Sequence, residues 1–163
     1  MTRQFLLVIL FFITAIAQTS IMDSLVLPLN LFPLHLLVGI LVLHRAGPEL
    51  GASWFVASAF ILPLFGFDAF PWYAYFAVAI AGVLFTTRIF TNRSVYALVG
   101  MSLSLYLIAR VGQFIAQPSS VTFQTTITAM LLIIIGSYIG FLTAKIFEKA
   151  LHSFFLVPHK HVS

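Results

Sequence analysis

Three charged residues in apolar surroundings are the first candidates for chemistry in this sequence. Arg110 lies inside a long apolar run, and Asp23 and Asp68 lie in short breaks between other runs. An ionised side chain inside a membrane is costly unless it is paired or reaches the headgroups. We therefore predict that Arg110 either pairs with Asp23 or Asp68, as part of a polar cavity, or extends along its own stem to the headgroups.

The two aspartates also suggest an enzyme. Two carboxylates on one side of a membrane can share a proton and activate water, and such a protein would resemble lipoprotein signal peptidase. The sequence lacks the Asn and Asp motifs of that family, and it contains no HExxH, GxSxG or Walker motif. It has no cysteine, which excludes a thiolate metal site. We predict a protein that is not an enzyme and has no cofactor.

His35 and Asn30 are polar residues within another apolar run, and Pro28 and Pro33 lie beside them. The prolines indicate an irregular helix start, which is tolerated in a membrane only where protein or water covers the backbone. A buried histidine can relay protons or contact a ligand, but it more often makes hydrogen bonds that hold the packing together. Both residues are therefore candidates for polar contacts.

Small residues recur in the last apolar run at a spacing that favours helix packing. Gly136 and Gly140 form a GxxxG motif, which lets a second helix approach closely. That helix can belong to this chain or to a partner, and packing within the chain is favoured. The basic and aromatic tail at 145–163 suits anionic lipid headgroups. A metal site at His159 and His161 would lack a neighbouring carboxylate or cysteine, so no metal is predicted.

The elements that must position these residues are membrane helices. The sequence is 61% hydrophobic and only 7% charged, whereas soluble domains are about 25% charged. Because a hydrocarbon core takes about 20 helical residues to cross, we predict an all-α, polytopic helical bundle that forms one transmembrane domain, 1–163. About six helices are expected, at 5–22, 29–43, 50–67, 71–87, 95–116 and 127–144.

The basic residues predict the orientation of the bundle. With the N-terminus in the cytoplasm, all but one of the Lys and Arg residues fall on the cytoplasmic side, as the positive-inside rule requires. Both termini are then cytoplasmic, and the positive charge needs no nucleic-acid partner. One alternative is that Ala15–Ala17 marks the cleavage site of a signal peptide, which would leave five spans.

The stretch from Phe32 to Ile115 resembles MreD, a rod shape-determining family of the bacterial inner membrane. Three segments carry the resemblance: Pro-Leu-His-Leu-Leu at 33–37, Arg-Ala-Gly-Pro-Glu-Leu-Gly at 45–51, and Phe-Thr-Asn-Arg-Ser at 90–94. The resemblance implies a fold like that of energy-coupling-factor S-components. It also implies a non-enzymatic scaffold that binds an MreC-like protein and links RodA and its transpeptidase in cell-wall elongation.

Two other functions remain open from the sequence. The first is the substrate-binding subunit of an energy-coupling-factor vitamin transporter, which is also a small six-helix protein. Such a subunit would need an outward pocket, for which Arg110, Asp23, Asp68, Trp72 and Gln113 are the candidates. The second is an accessory subunit of another membrane complex. Membrane lipids are expected partners in every case.

Overall fold

Helices make up most of the described chain, and no strand occurs in the described residues. The computed structural model describes residues 2–22, 24–27, 29–64, 70–92 and 94–155. The six helices are α1 (Thr2–Ala17), α2 (Leu34–Ala46), α3 (Pro48–Leu64), α4 (Trp72–Leu84), α5 (Val95–Ala116) and α6 (Phe123–Phe155). Single π-helical turns extend α1 over Gln18–Met22 and α4 over Phe85–Ile89, and short 3-10 turns at Leu29–Leu31 and Pro118–Ser120 precede α2 and α6.

Four of these helices are long and apolar enough to cross a membrane. They are Gln4–Met22, Trp72–Ile89, Val95–Ala116 and Phe123–Ile146, whereas α2 and α3 are shorter apolar helices. The prediction of an all-α membrane protein is thus confirmed, and four of the six predicted spans meet the criteria of length and composition. Pro33 shortens α2, because a helix cannot readily extend through the residue before a proline.

The short helix α2 lies at the centre of the bundle. It packs against α1, α3, α4, α5 and α6, and Leu36, Ile40 and Leu43 on it are almost fully buried. A helix of 13 residues rises only about 20 Å, so α2 is shorter than the hydrocarbon core is thick. Its neighbours therefore cover its ends, which is the condition for an irregular backbone within a membrane.

Successive helices run in opposite directions. His35 at the start of α2 contacts Thr14 late in α1 and Ser58 late in α3. Likewise, Tyr73 at the start of α4 donates a hydrogen bond to the carbonyl of Gly112 late in α5. The bundle therefore has two distinct ends, which we call the basic end (Arg45, Arg88, Lys145) and the cavity end (Gln18, Asn30, Arg110).

Two features of the backbone hold the central helices close together. Gly47 joins α2 to α3 by itself, with a φ of 114° that L-residues rarely adopt. A Cβ atom on Gly51 would lie 2.5 Å from the Cα atom of Leu43, so the first turns of α3 touch the last turns of α2. At the same end of the bundle, Ser94 caps α5 by accepting a hydrogen bond from the backbone N–H of Ala97.

The outer helices α1 and α6 expose most of their apolar side chains. On α1 the exposed side chains include Phe5, Leu6 and Ile13, and on α6 they include Leu131, Ile135 and Ile139. An apolar groove of about 360 Å³ runs between α2 and α6, and another of about 330 Å³ runs between α1 and α3. Apolar side chains on the outside of a helical bundle suit contact with lipid or with other membrane helices.

Candidate functional site

His35 forms the first of two polar clusters inside the bundle, which we call the His35 cluster. Its Nδ1 atom lies 3.0 Å from the Thr14 hydroxyl, and its Nε2 atom lies 3.0 Å from the Ser58 hydroxyl. Its backbone N–H donates to the side-chain oxygen of Gln18 at 3.3 Å. Every polar atom that His35 contributes to this region therefore has a partner, and the three helices α1, α2 and α3 are linked through it.

The two hydroxyls of the His35 cluster also bond to their own helices. Thr14 lies 3.0 Å from the carbonyl oxygen of Phe11, and Ser58 lies 2.8 Å from that of Trp54. A hydroxyl has one hydrogen, and a neutral imidazole has one N–H. With neutral His35, one hydroxyl therefore donates to the ring and the other accepts from it while keeping its bond to the helix carbonyl.

Aromatic rings close the His35 cluster on its remaining sides. The Trp54 ring stacks on His35 at 5.2 Å between centroids, and the Phe11 ring meets it edge-on at 4.9 Å. Only 1% of the His35 surface is exposed. The cluster has no room for a ligand on the ring faces, so its geometry is that of a packed structural element.

A polar cavity of about 150 Å³ opens beside this cluster, at the cavity end of the bundle. Its polar lining consists of Gln18, Asn30, His35, Arg110 and Gln113. Its aromatic walls are Phe32, Phe70, Tyr75 and Tyr106. The lining residues come from α1, the turn before α2, α2 itself, α4 and α5, so the cavity exists only in the assembled bundle.

Arg110 is the charged group of the cavity, and it links α5 to α6. Its Nη1 atom donates to Gln113 one turn along α5. Its Nη2 atom donates to the hydroxyls of Thr125 at 3.0 Å and Thr126 at 3.3 Å. The guanidinium also lies 5.9 Å from the centre of the Tyr106 ring, within the range of a cation–π contact.

One donor of Arg110 remains without a partner. Its Nε atom is buried and makes no hydrogen bond within the described part of the chain, and the same holds for Oδ1 of Asn30. A buried polar atom without a partner costs about 1–3 kcal/mol. The described acidic side chains supply no counter-ion either, because Glu49 lies at the basic end, at the start of α3.

The structure shows where some of the predicted site residues of this region lie. Arg110 does border a polar cavity, and Asn30 and His35 do lie in its lining. Asp23 and Asp68 lie outside the described residues, so their pairing with Arg110 stays a prediction. Gln113 lines the cavity as expected, whereas Trp72 is 61% exposed and is not among the lining residues.

Several residues of the two clusters were missed by sequence reasoning. Gln18, Thr14 and Ser58 look like isolated polar residues in apolar runs, and each proves to bond to His35. Tyr75 and Tyr106 lie in the cavity wall and resemble ordinary aromatic residues of a membrane helix. The available signal was the shared depth of Gln18, His35, Ser58 and Arg110 near the same ends of successive helices.

The two glycines of the GxxxG motif differ in their surroundings. A Cβ atom on Gly136 would lie 2.6 Å from the Phe32 ring and 2.7 Å from Leu37, so Gly136 packs tightly against α2. A Cβ atom on Gly140 would meet only Leu41, at 3.8 Å. The first glycine therefore serves packing within the chain, and the second lines the apolar groove between α2 and α6.

The basic end carries the remaining charged candidates. Lys145 and Arg45 both lie over the Phe141 ring, at 5.5 Å and 4.7 Å from its centre. The tail predicted from residue 145 continues as part of α6 to Phe155, and His159 and His161 lie outside the described residues. Within the described ranges, no group of three or more His, Cys, Asp or Glu residues is placed to hold a metal ion.

Comparisons with protein-family models, curated proteins and solved structures find no match to this chain. The description of the fold and of the two polar clusters therefore rests on the geometry of this chain alone. They define an all-helical membrane protein with one sealed and one open polar cluster.

Proposed function

We propose that this chain is a non-enzymatic scaffold subunit of the cell-wall elongation machinery in a bacterial inner membrane. In this proposal it binds an MreC-like partner, couples it to a RodA-like synthase and its transpeptidase, and helps to maintain rod shape. The proposal rests on the MreD-like segments of the sequence. The observation that carries it is where those segments lie in the fold.

The MreD-like stretch, 32–115, covers the contiguous core of the bundle. Helices α2, α3, α4 and α5 pack against one another in the order α2–α3–α4–α5, and α5 returns to α2. Two of the three segments lie at the basic end: 45–51 forms the turn between α2 and α3, and 90–94 ends with the cap of α5. The resemblance therefore follows the structural core and its turns, as a resemblance in fold should.

The proposal includes six spans with both termini in the cytoplasm. Alternating helix directions support this count, because successive helices begin at opposite ends of the bundle. The concentration of Arg and Lys at the basic end favours the cytoplasmic side for it. Cysteine substitutions at Thr91 and Ser119, in turns at opposite ends, test the orientation: a membrane-impermeant thiol reagent added outside intact cells should label only the second.

A partner helix would dock in the apolar groove between α2 and α6, beside Gly140, rather than at Gly136. The Ile139 side chain in this groove is about half exposed, and a Cβ atom on Gly140 would meet only Leu41, at 3.8 Å.

The small-residue face at Ala77, Ala81 and Gly82 on α4 is the alternative, and Gly82 itself packs against Leu43 within the chain. The variants Gly140→Leu and Ala77→Leu each place a leucine side chain on one of the two faces, so they separate the two docking sites.

The experiment is affinity purification from the native membrane in mild detergent, followed by mass spectrometry of proteins and small molecules. We expect an MreC-like protein and a cell-wall synthase with the wild type, loss of both with Gly140→Leu, and retention with Ala77→Leu. Recovery of energy-coupling ATPase subunits or a bound vitamin would contradict the proposal. Loss of partner with Ala77→Leu alone would move the docking face to α4.

The cavity also suggests a second candidate function, that of the substrate-binding subunit of a vitamin transporter. Arg110 and Gln113, both expected in such a pocket, do lie together in the cavity. Its volume of about 150 Å³, however, is below the range of about 300–1,000 Å³ typical for drug-sized ligands. A vitamin would need a larger site, which is why the scaffold is the preferred proposal.

A further inference from the structure

The unexplained feature of the bundle is the cavity around Arg110, because a scaffold that acts through its outer faces has no use for it. We propose that this cavity binds a single phosphate group, supplied either by a lipid headgroup or as a free phosphate. The inference goes beyond the proposed scaffold role and does not depend on it. It rests on which atoms line the cavity and which of them already have partners.

Most polar groups that face the cavity offer hydrogen-bond donors, and the exception is the buried acceptor Oδ1 of Asn30. The side-chain oxygen of Gln113 accepts from Arg110, and that of Gln18 accepts from the backbone of His35. Each amide therefore keeps its NH₂ group as the part still free to bond. Together with the buried Nε–H of Arg110, which has no partner within the described part of the chain, they form a set of donors that requires an acceptor.

The charge of the cavity is positive, and it therefore favours the same kind of ligand as the hydrogen-bond donors do, an anion. Arg110 stays positively charged in a protein, and the described ranges place no carboxylate beside it. The first turn of α2, with Pro33 and His35, also lines the cavity. Because the N-terminal end of a helix carries a partial positive charge, the arginine and the helix together favour an anion.

The arrangement of donors favours a tetrahedral oxyanion. Gln18 approaches from the end of α1, and Arg110 and Gln113 approach from α5. A phosphate group accepts hydrogen bonds from several directions, whereas the acceptor sites of a carboxylate lie near one plane. The volume of about 150 Å³ corresponds to about five water molecules at about 30 Å³ each, which suits one phosphate group.

The threonines of α6 explain how the arginine is held ready. Thr125 and Thr126 bind Nη2 of Arg110 from one side, and Gln113 binds Nη1. These bonds fix the guanidinium plane before any ligand arrives, which lowers the entropic cost of binding. Because both Nη atoms already have partners, the Nε–H group is the donor of Arg110 that remains for the phosphate.

The test uses the full chain purified in mild detergent, with two probes. One probe is inorganic phosphate, followed by the thermal unfolding of the protein. The other is phosphatidylglycerol compared with the uncharged diacylglycerol, followed by native mass spectrometry. The variants are Arg110→Gln, Gln113→Leu, which removes an amide donor at a partly buried position, and the control Arg88→Gln, an exposed arginine at the basic end.

A bond from an ionised donor to phosphate predicts at least a tenfold loss of affinity in Arg110→Gln and a smaller loss in Gln113→Leu, which removes a neutral donor. Arg88→Gln should match the wild type. Binding of phosphatidylglycerol with this pattern assigns the site to a lipid headgroup, and protection by inorganic phosphate alone assigns it to a free phosphate. Equal binding of both probes by wild type and Arg110→Gln, or no binding of either by wild type, would overturn the proposal.

Discussion

The His35 cluster and the Arg110 cavity lie next to each other at the cavity end, but their polar side chains differ in burial and in hydrogen-bond partners. His35 is 1% exposed and has a partner for each ring nitrogen. Arg110 is partly exposed, borders open space and keeps a donor without a partner. The role of a lone polar residue in an apolar run therefore depends on which residues of the other helices lie next to it. One cluster stabilises the fold, and the other can receive a ligand.

The largest effect should come from disturbing the stack above His35. A Cβ atom on Gly39 would lie 2.6 Å from the Trp54 ring and 2.8 Å from the Phe55 ring, so Gly39→Leu must displace both. We expect a loss of about 3 kcal/mol in the free energy of unfolding. Denaturant titration in micelles measures it, with Trp54 as the single fluorophore in a Trp72→Phe background. The control Gly140→Ala, which adds a Cβ atom in open space, should change little.

A smaller effect is expected when His35 loses its hydrogen bonds but keeps an aromatic ring. His35→Phe retains the stack on Trp54 and removes two bonds, to Thr14 and to Ser58. Because hydrogen bonds between membrane helices contribute about 0.6 kcal/mol on average and buried ones in general about 1 kcal/mol, a loss of about 1.5 kcal/mol is expected. The same titration measures it. Unchanged stability would mean that the cluster is not structural.

Arg110→Gln should cost less stability than either change to the His35 cluster. The variant loses the bonds to Thr125 and Thr126, but it also relieves a buried donor that has no partner within the described residues. We expect a net loss of about 1 kcal/mol or less, alongside the loss of phosphate binding. A loss larger than that of His35→Phe would instead show that Arg110 is the structural residue of the pair.

The smallest effect belongs to the bond between α5 and α6. Thr126→Val removes one hydroxyl that holds Nη2 of Arg110 and keeps the size and shape of the side chain. A loss of about 0.6 kcal/mol in the free energy of unfolding is expected, together with weaker phosphate binding. Thr128→Val is the matched control, because the Thr128 hydroxyl bonds only to its own helix, at Gln124. It should leave phosphate binding unchanged.

The sequence predicted the bounds of a helix correctly where a capping residue or a proline marked the ends of that helix. The predicted span 95–116 coincides with α5, because Ser94 caps its start and Pro118 follows its end. The predicted span 127–144 is shorter than α6, which begins at Phe123. The threonines there look like a polar break, but Thr126 and Thr128 bond to carbonyls one turn back and remain helical.

The partners of the polar residues could not be predicted in the same way. Whether Thr14 and Ser58 face His35 depends on how three helices rotate about their axes, and an apolar run around the whole helix carries no such information. The sequence singled out Arg110 because its charge is costly in a membrane. It offered Asp23 and Asp68 as partners by charge alone, whereas the described contacts of Arg110 are with an amide and two hydroxyls.

The contrast between a sealed and an open cluster is tested most directly by thiol accessibility, since the natural chain has no cysteine. Gln113→Cys places a thiol in the cavity wall, and Ser58→Cys places one in the His35 cluster. With a charged thiol reagent, we predict fast labelling at position 113, from the outer side only, and no labelling at position 58. Equal labelling at the two positions, or labelling of 113 only from the cytoplasm, would contradict the account.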